Sequence, residues 1–206
     1  MTKIAIIGSG NVGSALGKGW LKSGHDVVFG VRDPFSSKTQ KSLALIPEAT
    51  IKTISDASKN AEVIVITTPP EAILELISLL GDLTNKVVID TTNSVRTKPE
   101  PYATAFHAIK DITKAPDIVK YFNSTGFENM LNPIYQGDGI DMFAAGNSVI
   151  AKKVAEQLAN DIGFGKCYDF GGDDKVELLE RFALSWINIA IMQGHGRNLA
   201  FKLLKR

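Results

Sequence analysis

"KIAIIGSGNVGSAL" (Lys3–Leu16) sets the reading of this chain. Four apolar strand formers, Ile4–Ile7, run into glycines at 8, 10 and 13, and small residues with helix propensity follow. A glycine triplet between a strand and a helix has a specific physical use. Gly8 lets the chain turn sharply, Gly10 leaves bare backbone against which a pyrophosphate can lie, and Gly13 lets the helix approach the strand. The unpaired N–H groups at the start of that helix, over Asn11 and Val12, favour an anion. The stretch therefore reads as a dinucleotide site, with Gly8, Ser9, Gly10, Asn11 and Val12 around the pyrophosphate; the competing reading is a tight turn with no ligand.

Outward from this motif, short apolar runs alternate with helical patterns. Strands are expected at Ile4–Ile7, Val27–Val31, Thr50–Thr53, Val63–Thr67, Val87–Asp90, Ile118–Phe122, Met142–Ala145 and Cys167–Phe170. Helices are expected at Asn11–Ser23, Lys38–Leu45, Glu71–Leu80 and Ala151–Asp161. Apolar strands separated by helices indicate a parallel sheet covered on both faces. The fold class is α/β: a doubly wound, mainly parallel Rossmann-type sheet of about eight strands with a C-terminal helical segment. Residues 97–116 read as loop plus short helix. From Asp173 to Lys202 a long helix is expected, interrupted near Gly194–Arg197. Its Phe182–Met192 section is apolar nearly all round, which argues for deep burial or contact with a second copy, a homodimer through this helix. The division expected is a Rossmann nucleotide-binding region over 1–146 and a strand-plus-helix segment over 147–206 packed on it as one continuous domain.

Composition narrows the class. The 206 residues carry a formal net charge of +1, which gives no reason to expect nucleic acid as a partner. Cys167 is the single cysteine, so there is no internal disulfide, and it reads as a small buried hydrophobe. His25, His107 and His195 lack metal-ligand spacing, so no metal site is expected, and His25 reads as structural. The N-terminal apolar run breaks at Gly8 and no run reaches the roughly 20 residues of a membrane span. A soluble, cytoplasmic protein is the expectation.

The second strand speaks to which dinucleotide. An NAD-selective site places Asp or Glu at its end to hold the ribose 2′-hydroxyl. Here Val31 occupies that position and Arg32 follows, whose planar donor fork suits a 2′-phosphate, with Lys38 able to assist. A shift of one or two residues would instead make Asp33 the ribose ligand and turn the preference to NAD. "ITTPPEAI" (Ile66–Ile73) and "IDTTNSV" (Ile89–Val95) follow the fourth and fifth strands, and their small polar residues suit a cofactor ribose and nicotinamide. No G-x-S-x-G elbow and no evident general acid–base pair is found, which a nicotinamide enzyme tolerates when its cofactor carries the chemistry.

The opening fingerprint, "GVRDP", "TTPPEAI", "IDTTN", "YFNSTGFENM", "DMFAAGNS", "GFGKCYDFGG" and "GHGRNLAFKLLKR" together resemble the coenzyme F420-dependent NADP oxidoreductase family over nearly the whole chain. The resemblance implies hydride transfer between NADP(H) and a deazaflavin, or a flavin as in the related cytoplasmic domain of six-transmembrane metalloreductases. By position, Gly8 to Val12 would hold the pyrophosphate, Arg32 and Lys38 the 2′-phosphate, and Thr68 and Pro69 the ribose and nicotinamide side. Asn123, Ser124 and Thr125 would border the hydride-acceptor pocket as the catalytic residues. The chain departs from the family at Val31, where serine is common, and at Asp33, where a second arginine can stand. Phe127, Trp186 and Met192 are candidates to close an apolar slot over the acceptor. Two other readings stand beside this one. A reductase of small carbonyls or imines is disfavoured because Val176–Ala200 has no lysine and little chain remains for a helical substrate domain. A non-catalytic NADP-binding regulator would bind the cofactor without oxidising it.

Overall fold

The computed structural model describes residues 1–206. Eight strands form one sheet: β1 (Lys3–Ile7), β2 (Asp26–Val31), β3 (Thr50–Thr53), β4 (Val63–Ile66), β5 (Val87–Asp90), β6 (Asp117–Lys120), β9 (Met142–Ala145) and β10 (Cys167–Gly171). Their spatial order is β10-β9-β6-β5-β4-β1-β2-β3. The first six strands are mutually parallel. β9 meets β6 antiparallel through Lys120 and Ala145, and β10 runs parallel to β9. Strands such as "VIVI" in β4 and "VVID" in β5 are buried at every residue, because helices cover both faces. A small hairpin, β7 (Ile134–Tyr135) and β8 (Asp138–Gly139), stands apart from this sheet.

One face carries α1 (Asn11–Lys22), α2 (Ser37–Leu43), α6 (Phe127–Leu131) and α7 (Val149–Asp161) over a core that includes Leu16, Trp20, Phe29 and Phe122. The other carries α3 (Ile54–Lys59), α4 (Ile73–Ile77), α5 (Ala105–Thr113) and α8 (Val176–Ile187) over Ile7, Ile64, Phe106 and Leu179. Side-chain caps start four of these helices. Ser36, Thr53, Thr104 and Ser148 each accept the amide three residues on, satisfying a donor the helix leaves open. α1 lies so close to the sheet that a Cβ on Gly17 would stand 2.4 Å from the Phe29 ring. Trp20 then reaches across the core to donate its indole N–H to Leu158 O at 2.8 Å. His25 ties the same end, with Nε2 3.1 Å from Asp161 Oδ2 and Nδ1 accepting from Thr2 N–H. Burial pushes the Cys167 thiol up to about 11, so it sits as an inert thiol beside Tyr121.

The C-terminal helix is shorter than the sequence pattern predicts. α8 passes into a π-turn over Asn188–Met192, and left-handed Gly194 and Gly196 follow. Instead of resuming a helix to Lys202, the chain runs on irregularly and is tied down by particular contacts. Leu199 O accepts from both Trp186 Nε1 (2.8 Å) and Asn129 Nδ2 (2.7 Å). Phe201 packs on Phe182 at 4.6 Å between ring centroids, and Leu203 N–H donates to Asp141. No helix is long and apolar enough to cross a membrane.

Candidate functional site

The glycine turn has the geometry its sequence demands. Gly8 takes φ +115°, and a Cβ there would meet Thr67 Oγ1 at 2.9 Å. Gly13 faces back on the strand, where a Cβ would stand 2.5 Å from the Gly8 carbonyl oxygen. Gly10 differs from both. It has ordinary extended backbone (φ −74°, ψ −174°), and a Cβ placed on it meets nothing within 4 Å. Neither backbone strain nor packing accounts for glycine at position 10. What remains is the open space above it, beside the first turn of a twelve-residue helix with no side-chain cap.

That space opens into a cleft of about 440 Å³ at the carboxyl ends of β1, β2 and β4. It gathers seven of the nine residues expected around a cofactor: Gly8, Ser9, Gly10, Arg32, Lys38, Thr68 and Pro69. Asn11 lines an adjoining groove with Ser9 and Gly10. Val12 borders neither, and packs instead against the α1-side core. The far end of the cleft is basic. Arg32 is exposed, its guanidinium 3.4 Å from Glu75 on α4, and Lys38 stands at the start of α2 with no acidic partner. Val31 is buried, and Asp33, which also lines the cleft, accepts the Phe35 amide at 2.8 Å through Oδ1 in a turn that leads to the Ser36 cap. Thr68 Oγ1, within the cleft wall, is buried without a hydrogen-bond partner. A bare glycine cradle, an uncapped helix start, two cations and an orphaned hydroxyl fit a phosphorylated dinucleotide.

The residues expected at the hydride acceptor lie elsewhere on the same rim. Asn123, Ser124 and Thr125 are all buried and none lines the cleft. Asn123 Nδ2 donates to Asn93 Oδ1 (3.1 Å) and faces Leu179 O (3.4 Å), and Asn93 Nδ2 donates back to Asn123 O (3.0 Å). Asn123 Oδ1 is left buried with no partner. Thr125 Oγ1 accepts from Asn129. Of the three apolar residues expected over the acceptor, Trp186 is buried on Gly126, where a Cβ would come within 2.6 Å of its ring. Arg197 from the tail lies 5.5 Å over both Trp186 and Phe127 and pairs with Glu128. Met192 points outward, 56% exposed.

Sequence reading missed a buried ionic cluster. Lys120, at the end of β6, contacts Asp90 on β5 and Glu180 on α8, and all three are out of water. Burial alone would lower the Lys120 pKa, but the two carboxylates outweigh it and hold the ammonium above its ordinary value. Burial pushes the Glu180 carboxyl upward, the Asp90 charge adds to this, and Lys120 opposes it. The available signal was a lysine ending an apolar strand, "DIVK".

Residues 3–94 match the model of a family described as NADP oxidoreductase, coenzyme F420-dependent. The resemblance drawn from the sequence is met over this stretch, a little under half of the chain. The matched stretch is the one that folds around the cleft. Among solved structures, an Arthrobacter protein described as a candidate F420-dependent NADP reductase superposes with a TM-score of 0.87 at 24% identity, each chain covered completely. A hypothetical protein from Sinorhizobium meliloti gives 0.73 at 21% identity, with 100% and 97% of the two chains covered. An imine reductase from Myxococcus stipitatus in complex with NADP⁺ gives 0.68 at 18% identity; the match covers 93% of this chain and 63% of that one. These likenesses show a shared fold.

Proposed function

We propose that the protein is an NADPH-dependent oxidoreductase that passes hydride to a ring-type acceptor, deazaflavin coenzyme F420 or a flavin. The observation that carries the cofactor is Gly10, whose missing side chain leaves room for a ligand and for nothing in the protein. In this reading the backbone from Gly8 to Val12 receives the pyrophosphate, and Arg32 and Lys38 receive the 2′-phosphate. Thr68 and Pro69 border the ribose and nicotinamide. When bound, NADPH supplies the hydride. The chain contributes position, which converts the encounter of two rings into an effectively unimolecular step. Asn123, Ser124 and Thr125 act at the acceptor end, where the orphaned Asn123 Oδ1 is an acceptor awaiting a donor. A conjugated ring spreads incoming charge over its own heteroatoms, so amides and hydroxyls suffice where a simple carbonyl would need a positioned acid.

The test is NADPH oxidation against deazaflavin, FMN, FAD, a keto acid and a cyclic imine. Ring acceptors should turn over, and Asn123→Ala should slow turnover more than it weakens NADPH binding. Turnover of the imine or keto acid with ring acceptors inert would establish the second reading, reduction of small carbonyls or imines. The acid Glu180 at the rim favours that reading, although it does not open into the cofactor cleft. Binding without oxidation of any acceptor would leave a regulator.

Cofactor choice has its own measurement. A charge-assisted bond to a 2′-phosphate contributes about 1.5–3 kcal/mol, roughly 10- to 100-fold in affinity. NADPH should bind that much more tightly than NADH, and Arg32→Ala should remove most of the difference in a fluorescence titration. We further read the chain as a cytoplasmic homodimer without nucleic-acid or membrane partners. Leu184, Ile189, Ile191 and Met192 leave an exposed apolar strip along α8 and its π-turn, the surface such a dimer would cover. Ile191→Asp should yield a monomer in sedimentation at micromolar concentration, where the parent protein is expected to be dimeric.

A further inference from the structure

Three ionisable groups that grip no nucleotide stand at the carboxyl ends of β5 and β6. Lys120 Nζ lies 2.7 Å from Asp90 Oδ2, 2.6 Å from Glu180 Oε1 and 2.8 Å from Thr92 O. Nζ donates to Thr92 O and, at 3.3 Å, to Thr92 Oγ1, and holds the two carboxylates as ion pairs. The second oxygen of Asp90 accepts from Thr92 N–H (2.9 Å), and that of Glu180 from Ser94 N–H (2.8 Å). One ammonium neutralises one carboxylate. The other must hold a proton or leave a net negative charge in a medium where uncompensated charge is expensive.

Glu180 is the member placed to exchange that proton. It alone lines a pocket of about 240 Å³ between α8 and the loop after β5, whose walls include Ser94, Lys98, Thr104 and Arg181. Register fixes how near the cluster is to the cofactor cleft. Ile66 of β4 pairs with Asp90, and Asp90 pairs with Lys120. At about 4.8 Å per strand, Lys120 lies roughly 10 Å from the end of β4, two residues short of Thr68. A unit charge acting over about 10 Å at an effective dielectric near 20 alters an affinity roughly ten-fold.

We propose that Lys120, Asp90 and Glu180 form a charge-compensating proton store for the cofactor site. Glu180 keeps its proton while the nicotinamide is neutral and releases it to solvent through the pocket when the site holds the oxidised, cationic form. This rests on the cleft being an NADP(H) site. Reduction of an acceptor by NADPH consumes one proton overall, which the acceptor ring takes from solvent; the proton that Glu180 releases and regains cancels over the cycle. Glu180 goes from carboxylic acid to carboxylate as positive charge arrives, and is reprotonated when NADPH replaces NADP⁺. No electrons pass through the cluster. The other charged groups that face Glu180 are Lys120 on β6, Asp90 on β5, Lys98 on the loop and Glu177 and Arg181 on α8. His107 on α5 reaches the same pocket wall through Thr104.

The experiment is the pH dependence of the ratio of dissociation constants, NADP⁺ over NADPH, by fluorescence titration from pH 5.5 to 9. The 2′-phosphate is common to both ligands and cancels in the ratio. In the parent protein the ratio should fall roughly ten-fold as pH rises, and adding NADP⁺ in weak buffer should release up to one proton where NADPH releases none. In Glu180→Gln the ratio should be flat, and in His107→Gln it should still fall. Should Glu180→Gln not fold, the charge-free variant carrying Asp90→Asn, Lys120→Met and Glu180→Gln replaces it, since neutralising a whole buried cluster costs far less than breaking it. A flat ratio in the parent protein, or a slope that survives the loss of Glu180 or vanishes with His107, would overturn the proposal. Failure of the parent protein to bind either nucleotide would instead overturn the reading of the cleft, and this proposal with it.

Discussion

Lys120→Met should lower the free energy of unfolding by about 3–5 kcal/mol, the cost of leaving buried carboxylates without their cation. For a chain of 206 residues this corresponds to a fall in Tm of roughly 6–20 °C in calorimetry. The deficit should depend on pH in a definite direction. Without the ammonium, the burial and the Asp90 charge that already raise the Glu180 carboxyl act unopposed. Glu180 therefore supports the fold below its unfolded pKa and withdraws that support as pH rises through the folded one. The variant should be closest to the parent protein near pH 5 and furthest from it above pH 8. Adding Glu180→Gln should recover part of the loss. A uniform deficit at all pH values would mean that lost packing of the lysine stem, not charge, sets the cost.

Gly10→Val should do the opposite, leaving the fold intact while abolishing cofactor binding. The backbone at Gly10 is one that any residue adopts, and a side chain there meets no protein atom within 4 Å. Tm should stay within about 1 °C, since substitutions free of packing or strain stay within about 0.5 kcal/mol. The valine would occupy the space above the first turn of α1 and deny a pyrophosphate its backbone donors. Each charge-assisted bond lost removes roughly 10- to 100-fold, so NADPH should fall below detection in a micromolar titration. Gly13→Val is the matched control: its Cβ would enter the Gly8 carbonyl, so stability and binding should fail together.

These two positions show what could be read from the chain in advance. Gly10 was legible because a strand, a turn and a helix lie next to one another in sequence, and the constraint on each glycine is local. The same holds for the six inner strands, short apolar runs buried on both faces, whereas the edge strands β3 (TIKT) and β10 (CYDFG) are largely unburied. α3 escaped notice because six residues, "ISDASK", are too few to show helical periodicity, and it is Thr53 accepting the Asp56 amide that starts the helix. The tail was misjudged for a different reason. Its composition allows a helix, but Trp186, Asn129 and Asp141 offer hydrogen bonds to an irregular backbone that a helix could not use. The ionic cluster left one trace, the lysine that ends DIVK, because its three members stand at positions 90, 120 and 180 and only the sheet register and the course of α8 bring them together.

That spacing has a consequence for how the molecule is made. The glycine turn and the rest of the cleft lie within the first 94 residues, and Lys120 follows soon after, but Glu180 is synthesised 60 residues later than the lysine it meets. At about 5–20 residues per second, the ribosome holds the chain for roughly 3–12 seconds with the glycine cradle already made and Lys120 paired to Asp90 alone. During that interval the cluster is electrically neutral, so the growing sheet can close without a net charge inside it. The second carboxylate arrives last, on the helix that covers it. Vectorial synthesis thus delivers these charges in the order that electrostatics prefers: the balanced pair first, and then the acid that must share its proton with water.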